Sequence, residues 1–179
     1  MHIRDILPED NGPLALIVRN ALAEFGANKP GTVFFDPTTD HLYELFQTAG
    51  SKYFVAVGEA DGAMGHAAGA AQTGGEVAAV LGGAGIFPST GLPPDTCELC
   101  KMYLHPDARG RGLGGQLIRR CLDAARTLGY KKVYLETMPE LRQALAVYER
   151  FGFRYLDGPL GNTGHFGCDR WMLLELGEN

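Results

Sequence analysis

Apolar residues at Leu14, Ile17, Val18, Leu22 and Phe25 keep the spacing of one helical face, and Gly26 follows as a stop. A short strand around Ile3–Ile6 precedes this helix. Pro30-Gly31 and Asp36-Pro37 mark a loop from Gly26 to Thr39, after which a second short helix is expected over His41–Gln47. Tyr53 to Val57 has the composition of a strand, and Asp61-Gly62 begins its return. The run from Ala63 to Gly75 holds mostly Gly, Ala and small polar residues, which predicts a mobile hairpin extension. Val77 to Phe87 resumes strand character, with Gly82, Gly83 and Gly85 marking a bulge or close backbone packing.

A Pro-rich loop, Pro88 to Pro94, leads into a strand over Cys97–Leu104. Beyond a glycine-rich turn, Leu113, Leu117, Ile118, Cys121, Leu122, Ala125 and Leu128 recur at helical spacing up to Gly129, and Lys132–Glu136 reads as the next strand. Strand, helix and strand make one crossover, which implies two parallel neighbours in the sheet. Thr137-x-x-Glu140 fits a capping box with Pro139 in the first turn of a helix through Leu141, Leu145, Tyr148 and Phe151, ended by Gly152. Phe153–Leu156 and Trp171–Leu176 close the chain as strands around a Gly-rich loop, Gly158 to Cys168. No repeat and no interdomain linker is visible, so residues 1–179 are expected to form a single domain.

Composition narrows the class. With 45% hydrophobic and 21% charged residues the 179-residue chain reads as an ordinary globular domain. A net charge of −5 argues against nucleic-acid binding and suits a cationic acceptor. Neither a secretory signal nor an 18-residue apolar span is present, so no membrane partner and a cytoplasmic location are expected; a homodimer is compatible with the composition. The 4 cysteines are too few for a disulfide scaffold. Cys97-x-x-Cys100 has zinc-ribbon spacing, but residues three apart point to opposite faces of a strand and no second ligand pair exists, so no metal is expected.

The turn Arg109-Gly110-Arg111-Gly112-Leu113-Gly114-Gly115 opens a helix. Free N–H groups and the helix dipole favour a phosphate there, Gly lets backbone approach it, and Arg adds charge-assisted bonds. A diphosphate-bearing cofactor follows from the residues; its identity does not. Gly110 to Gly115 is also a literal G-x-G-x-x-G with Glu136 at the end of the next strand, the fingerprint of a dinucleotide-dependent oxidoreductase. That fingerprint needs the strand to run straight into the first glycine, whereas His105 to Arg109 intervene.

Arg109-x-x-Gly112-x-Gly114 at a helix start resembles the acetyl-CoA signature of the GNAT superfamily of N-acetyltransferases. Ala144 to Phe153, with Tyr148 ahead of Gly152-Phe153, resembles the same superfamily's second motif; Leu141 replaces the asparagine common there. The resemblance is close over Cys97–Tyr155. It implies an α/β fold, a mixed and mostly antiparallel sheet of six or seven strands with a central splayed parallel pair and helices on both faces. It implies acetyl-CoA as co-substrate and direct acetyl transfer to a primary amine of a small molecule or peptide. A non-catalytic acyl-CoA sensor would keep the glycine turn without needing Tyr148 or Glu98.

The implied site is read onto this chain residue by residue. Met102, Tyr103 and Leu104 end the splayed strand that would hold pantetheine, and Arg109, Gly110, Arg111, Gly112, Leu113, Gly114 and Gly115 would hold the pyrophosphate. Tyr148 is the expected general acid for the leaving thiolate, although helical spacing alone would make it a core aromatic. Glu98 is the expected base, against a solvated position or a pair with Lys101. Phe34, Phe35 and Asp36 in the early loop and His165 in the closing loop are the expected acceptor-side residues, and Asp36 could attract an ammonium.

Overall fold

A computed structural model describes residues 1–59, 70–73, 76–164 and 166–177. The strands are β1 (His2–Asp5), β2 (Lys52–Glu59), β3 (Ala70–Thr73), β4 (Glu76–Phe87), β5 (Thr96–Leu104), β6 (Lys132–Thr137), β7 (Arg154–Leu156) and β8 (Arg170–Glu175). The helices are α1 (Asn11–Glu24), α2 (Leu42–Leu45), α3 (Leu113–Thr127) and α4 (Arg142–Arg150). Strands β1-β2-β4-β5-β6-β8-β7 form one continuous sheet, and β3 pairs with the first residues of β4, beyond the end of β5. Every pairing is antiparallel except β5 with β6, the two strands joined by the α3 crossover. This is the mixed sheet with one parallel pair that the crossover requires. The expected hairpin extension over 63–75 lies largely outside the described residues; within it, 70–73 form β3.

The two faces of the sheet bury different helices. In β2, Tyr53, Val55 and Val57 point to one side with Leu14 and Ile17 of α1 and Leu42 of α2. The alternate residues Phe54 and Ala56 point to the other, with Leu113, Leu117, Ile118 and Cys121 of α3 and Tyr148 of α4. Cys97 and Cys100 fall on opposite faces of β5, as strand alternation demands. Burial pushes the thiols of Cys97, Cys100, Cys121 and Cys168 and the phenols of Tyr53, Tyr103, Tyr134 and Tyr148 upward. An unfolded chain ionises these groups from about pH 9 while the folded one keeps them protonated. Stability is therefore expected to hold through neutral pH and to fall steadily above about pH 9, read as the urea midpoint against pH.

One local expectation is corrected. Thr137 does not cap α4: it is the last residue of β6, paired with Arg170, so its backbone is extended. Pro139 instead sits second in a turn closed by a 3.1 Å bond from the Leu141 N–H to the Met138 carbonyl, where a fixed φ is useful. Helix α4 starts only at Arg142.

The feature that creates the site is a failure of pairing. Strands β5 and β6 share only Thr96–Lys132, Cys97–Val133 and Glu98–Tyr134 before they separate. Just past that point β5 carries a bulge, because Gly85 faces Cys100 whereas Gly83 faces Tyr103. Lys101 is the bulged residue, with φ of 49°, the sole non-glycine residue with positive φ among the described residues. Its carbonyl accepts a 2.9 Å bond from the buried Tyr53 hydroxyl, which holds the unusual backbone in place.

Candidate active site

The separation of β5 from β6 opens a passage with a cavity on either side. On one side lies a groove of about 530 Å³ lined by Met102, Tyr103 and Leu104 of β5, by Arg109, Gly110, Gly112, Gly114 and Gly115 of the turn, and by Gln143, Val147 and Tyr148 of α4. Gly110 and Gly112 take φ of 73° and 80°, so the glycines are needed for the backbone itself. A Cβ at either position would meet no protein atom within 4 Å; the space above the turn is open. The first N–H groups of α3, those of Leu113, Gly114 and Gly115, have no intrahelical acceptor and carry the positive end of the dipole. These observations fit a diphosphate.

The charges differ from the expectation. Arg109 directs its guanidinium to Glu24 of α1, with two 2.8 Å bonds, while its Nε donates to the Leu104 carbonyl and its plane lies 5.3 Å from the Phe25 ring centre. Arg109 therefore ties the glycine turn to α1, and it holds the Glu24 carboxyl below the usual range. Arg111 is exposed and outside the groove lining, and the Leu113 side chain is buried in the core, leaving only its backbone to face a ligand. Arg119 and Arg150, which the sequence did not single out, are the other cations on the groove wall.

Between the strands is a narrow slot of about 40 Å³ bordered by Glu98 to Tyr103, Glu136 to Met138, Leu141 and Tyr148. It shares Met102, Tyr103, Leu141 and Tyr148 with the groove. Tyr148 is 7% exposed and its hydroxyl donates to the Met102 sulfur at 3.7 Å. Desolvation raises its pKa, so the phenol keeps its proton. The Tyr148 ring packs against Phe153 in the core, the place that helical spacing alone gives it, while its hydroxyl borders the slot.

Glu98 is 3% exposed and accepts a short hydrogen bond from the Ser89 hydroxyl; it is neither on a solvated face nor the partner of Lys101. Lys101 pairs with Asp36 across 2.6 Å, and Asp36 also caps the turn after it through the Thr38 N–H and hydroxyl. The pair anchors the early loop to the bulge. Glu136, which a dinucleotide reading would place on a ribose, instead accepts from the Tyr134 and Thr163 hydroxyls.

On the far side of the slot is a second cavity of about 450 Å³, walled by residues of the early loop, of the loop after β4 and of the closing loop. It shares Thr32, Glu98, Cys100 and Lys101 with the slot. Phe35 and Asp36 line it, but Phe34 does not: that ring packs with Val18, Leu22 and Val33 beneath α1. The loop turns here, with 3.3 Å bonds from the Phe35 N–H to the Thr32 carbonyl and from the Asp36 N–H to the Val33 carbonyl, and Phe35 is left exposed while Phe34 packs inward. Phe166, absent from the sequence expectations, is on the rim, and His165 lies outside the described residues.

The same architecture is found in known proteins. A family model, "Acetyltransferase (GNAT) family", matches residues 27–153. The uncharacterized N-acetyltransferase YjgM of Escherichia coli (strain K12) is 39% identical over 176 residues, covering 97% of this chain and 94% of the relative. A GNAT-family acetyltransferase of Staphylococcus aureus Mu50 superposes with a TM-score of 0.77 over 98% of this chain and 99% of its own, at 16% identity. The Salmonella typhimurium protein yncA, solved with its cofactor acetyl-CoA, superposes with a TM-score of 0.68 over 100% of this chain and 95% of its own, at 22% identity. The chain therefore belongs to the GNAT family of acetyltransferases, and the protein is an acyltransferase.

Proposed function

We propose that this enzyme moves an acetyl group from acetyl-CoA to a primary amine by direct attack. The observation that carries the reading is the slot itself: among the described residues it borders both a groove with a phosphate-suited turn and a separate acid-lined cavity. The N–H groups of residues 113–115 receive the pyrophosphate, and the unpaired edge of β5 beyond Glu98 receives pantetheine. When bound, acetyl-CoA supplies a thioester carbonyl at the slot.

Each proton has an assigned place. Glu98 accepts the proton of the attacking amine, with Ser89 holding the carboxylate in position. As the new C–N bond forms and the C–S bond breaks, Tyr148 donates its phenolic proton to the departing sulfur and is reprotonated from solvent. A covalent detour through Cys100 is disfavoured because burial pushes that thiol well above its ordinary range, which keeps it un-ionised.

The test uses the purified full chain. Acetyl-CoA is expected to raise the melting temperature and NAD(P)H to leave it unchanged. Mixing acetyl-CoA with primary amines is expected to release CoA thiol and give an N-acetyl product by mass spectrometry. Stabilisation by NADH without stabilisation by CoA would remove the reading, as would binding of acetyl-CoA without transfer to any amine.

A further inference from the structure

Phe166 is 82% exposed and Phe35 59% exposed, and both line the acceptor-side cavity. Leaving two aromatic rings in water at one mouth is unfavourable unless something covers them. Neither ring is loosely placed. Phe166 lies against Gly31, where φ is 77° and a Cβ would stand 2.5 Å from two ring carbons, and the Gly167 N–H donates to the Gly31 carbonyl at 2.8 Å. Phe35 packs edge-on against Phe34 at 4.9 Å, and Phe34 is itself seated in the core beneath α1. Both rings are supported from behind while their outer surfaces remain open.

Deeper in the same cavity the chemistry changes. Asp36 and Glu98 contribute two carboxylates and Lys101 one ammonium, and Glu98 also borders the slot whereas neither ring does. Among the described residues the cavity thus has an aromatic mouth and a net-negative floor at the point of transfer. Polyamines would need further anions along their length and amino sugars a polar mouth. A free amino acid would bring its own carboxylate to the acidic floor.

Resting on the acetyl-transfer reading above, we infer that the acceptor is a small monoamine on an aromatic body, its ring gripped by Phe35 and Phe166 and its amine delivered to Glu98. The cavity of about 450 Å³ is of drug-sized capacity, and Thr90, Asn162 and Thr163 on its wall allow polar substituents on that body.

The experiment compares kcat/KM for tryptamine, spermidine, glucosamine and phenylalanine in the wild type, Phe35→Ala and Phe166→Ala. Both variants alter exposed rings, so folding should survive, and the acetyl-CoA melting shift should be unchanged. Tryptamine is expected to lead by about tenfold or more. In each variant that lead should shrink through a higher KM for tryptamine with kcat retained. Equal or better use of spermidine or glucosamine, or a tryptamine preference intact in both variants, overturns this inference and leaves acetyl transfer standing. Failure of all four amines to accept an acetyl group overturns this inference, and acetyl transfer falls with it only when no other primary amine is acetylated.

Discussion

Replacing Tyr148 by Phe is expected to lower kcat by about a hundredfold while the acetyl-CoA melting shift stays unchanged. The substitution keeps the ring that packs on Phe153 and removes only the hydroxyl facing Met102 and the slot. An ordinary phenol is a weaker acid than a thiol, so in water it would give up its proton reluctantly. The slot does not widen that mismatch. The burial that raises Tyr148 also raises the nearby Cys100 thiol, and a thiolate formed at the same depth meets the same penalty. Because the shift is upward, Tyr148 stays protonated across the neutral range, and its ionisation produces no loss of rate below about pH 10. An unchanged kcat in Tyr148→Phe would mean that solvent protonates the leaving group and Tyr148 is a core residue only.

Gly112→Val should remove acetyl-CoA binding, weakening it by at least about a hundredfold, or about 3 kcal/mol. Two effects act together. A β-branched residue is strained at φ of 80°, and its side chain would project into the space above the turn that no protein atom occupies. The turn lies at the rim of the fold, so the loss of stability should be about 1–2 kcal/mol, the cost of a left-handed residue. Titration of acetyl-CoA by calorimetry, beside a urea melt, separates these effects. Gly112→Ala adds the strain with little bulk and should fall between wild type and Val. Undiminished binding in Gly112→Val would show that the diphosphate lies elsewhere.

Much of this was legible in the sequence, for reasons that differ by element. The strand, α3 and strand crossover was readable because helical periodicity between two apolar runs leaves one topological solution, the parallel β5–β6 pair. The glycine turn was readable because positive φ leaves a glycine signature. The separation of the strands was expected from the family resemblance alone, and its start after Glu98 was not readable, since nothing local records where a ladder stops. Lys101 shows the same limit: its bulge depends on Tyr53, and its charge is used by Asp36, both far away in the chain. Arg109 looked like a phosphate ligand by proximity to the glycines, and only the fold brings Glu24 to it. The false capping box at Thr137 had correct spacing but lost to β6 pairing with β8, a tertiary preference that overrides a local motif.

Donor and acceptor are expected to be bound together, on opposite sides of one slot, when transfer occurs. The decisive experiment measures initial rates while acetyl-CoA and tryptamine, or any better amine found, are varied against each other. Intersecting double-reciprocal lines, with no CoA released from the enzyme before amine is added, are the predicted result. Parallel lines with a stoichiometric burst of CoA in the absence of amine would contradict it, because they would require an acetyl group parked on the protein.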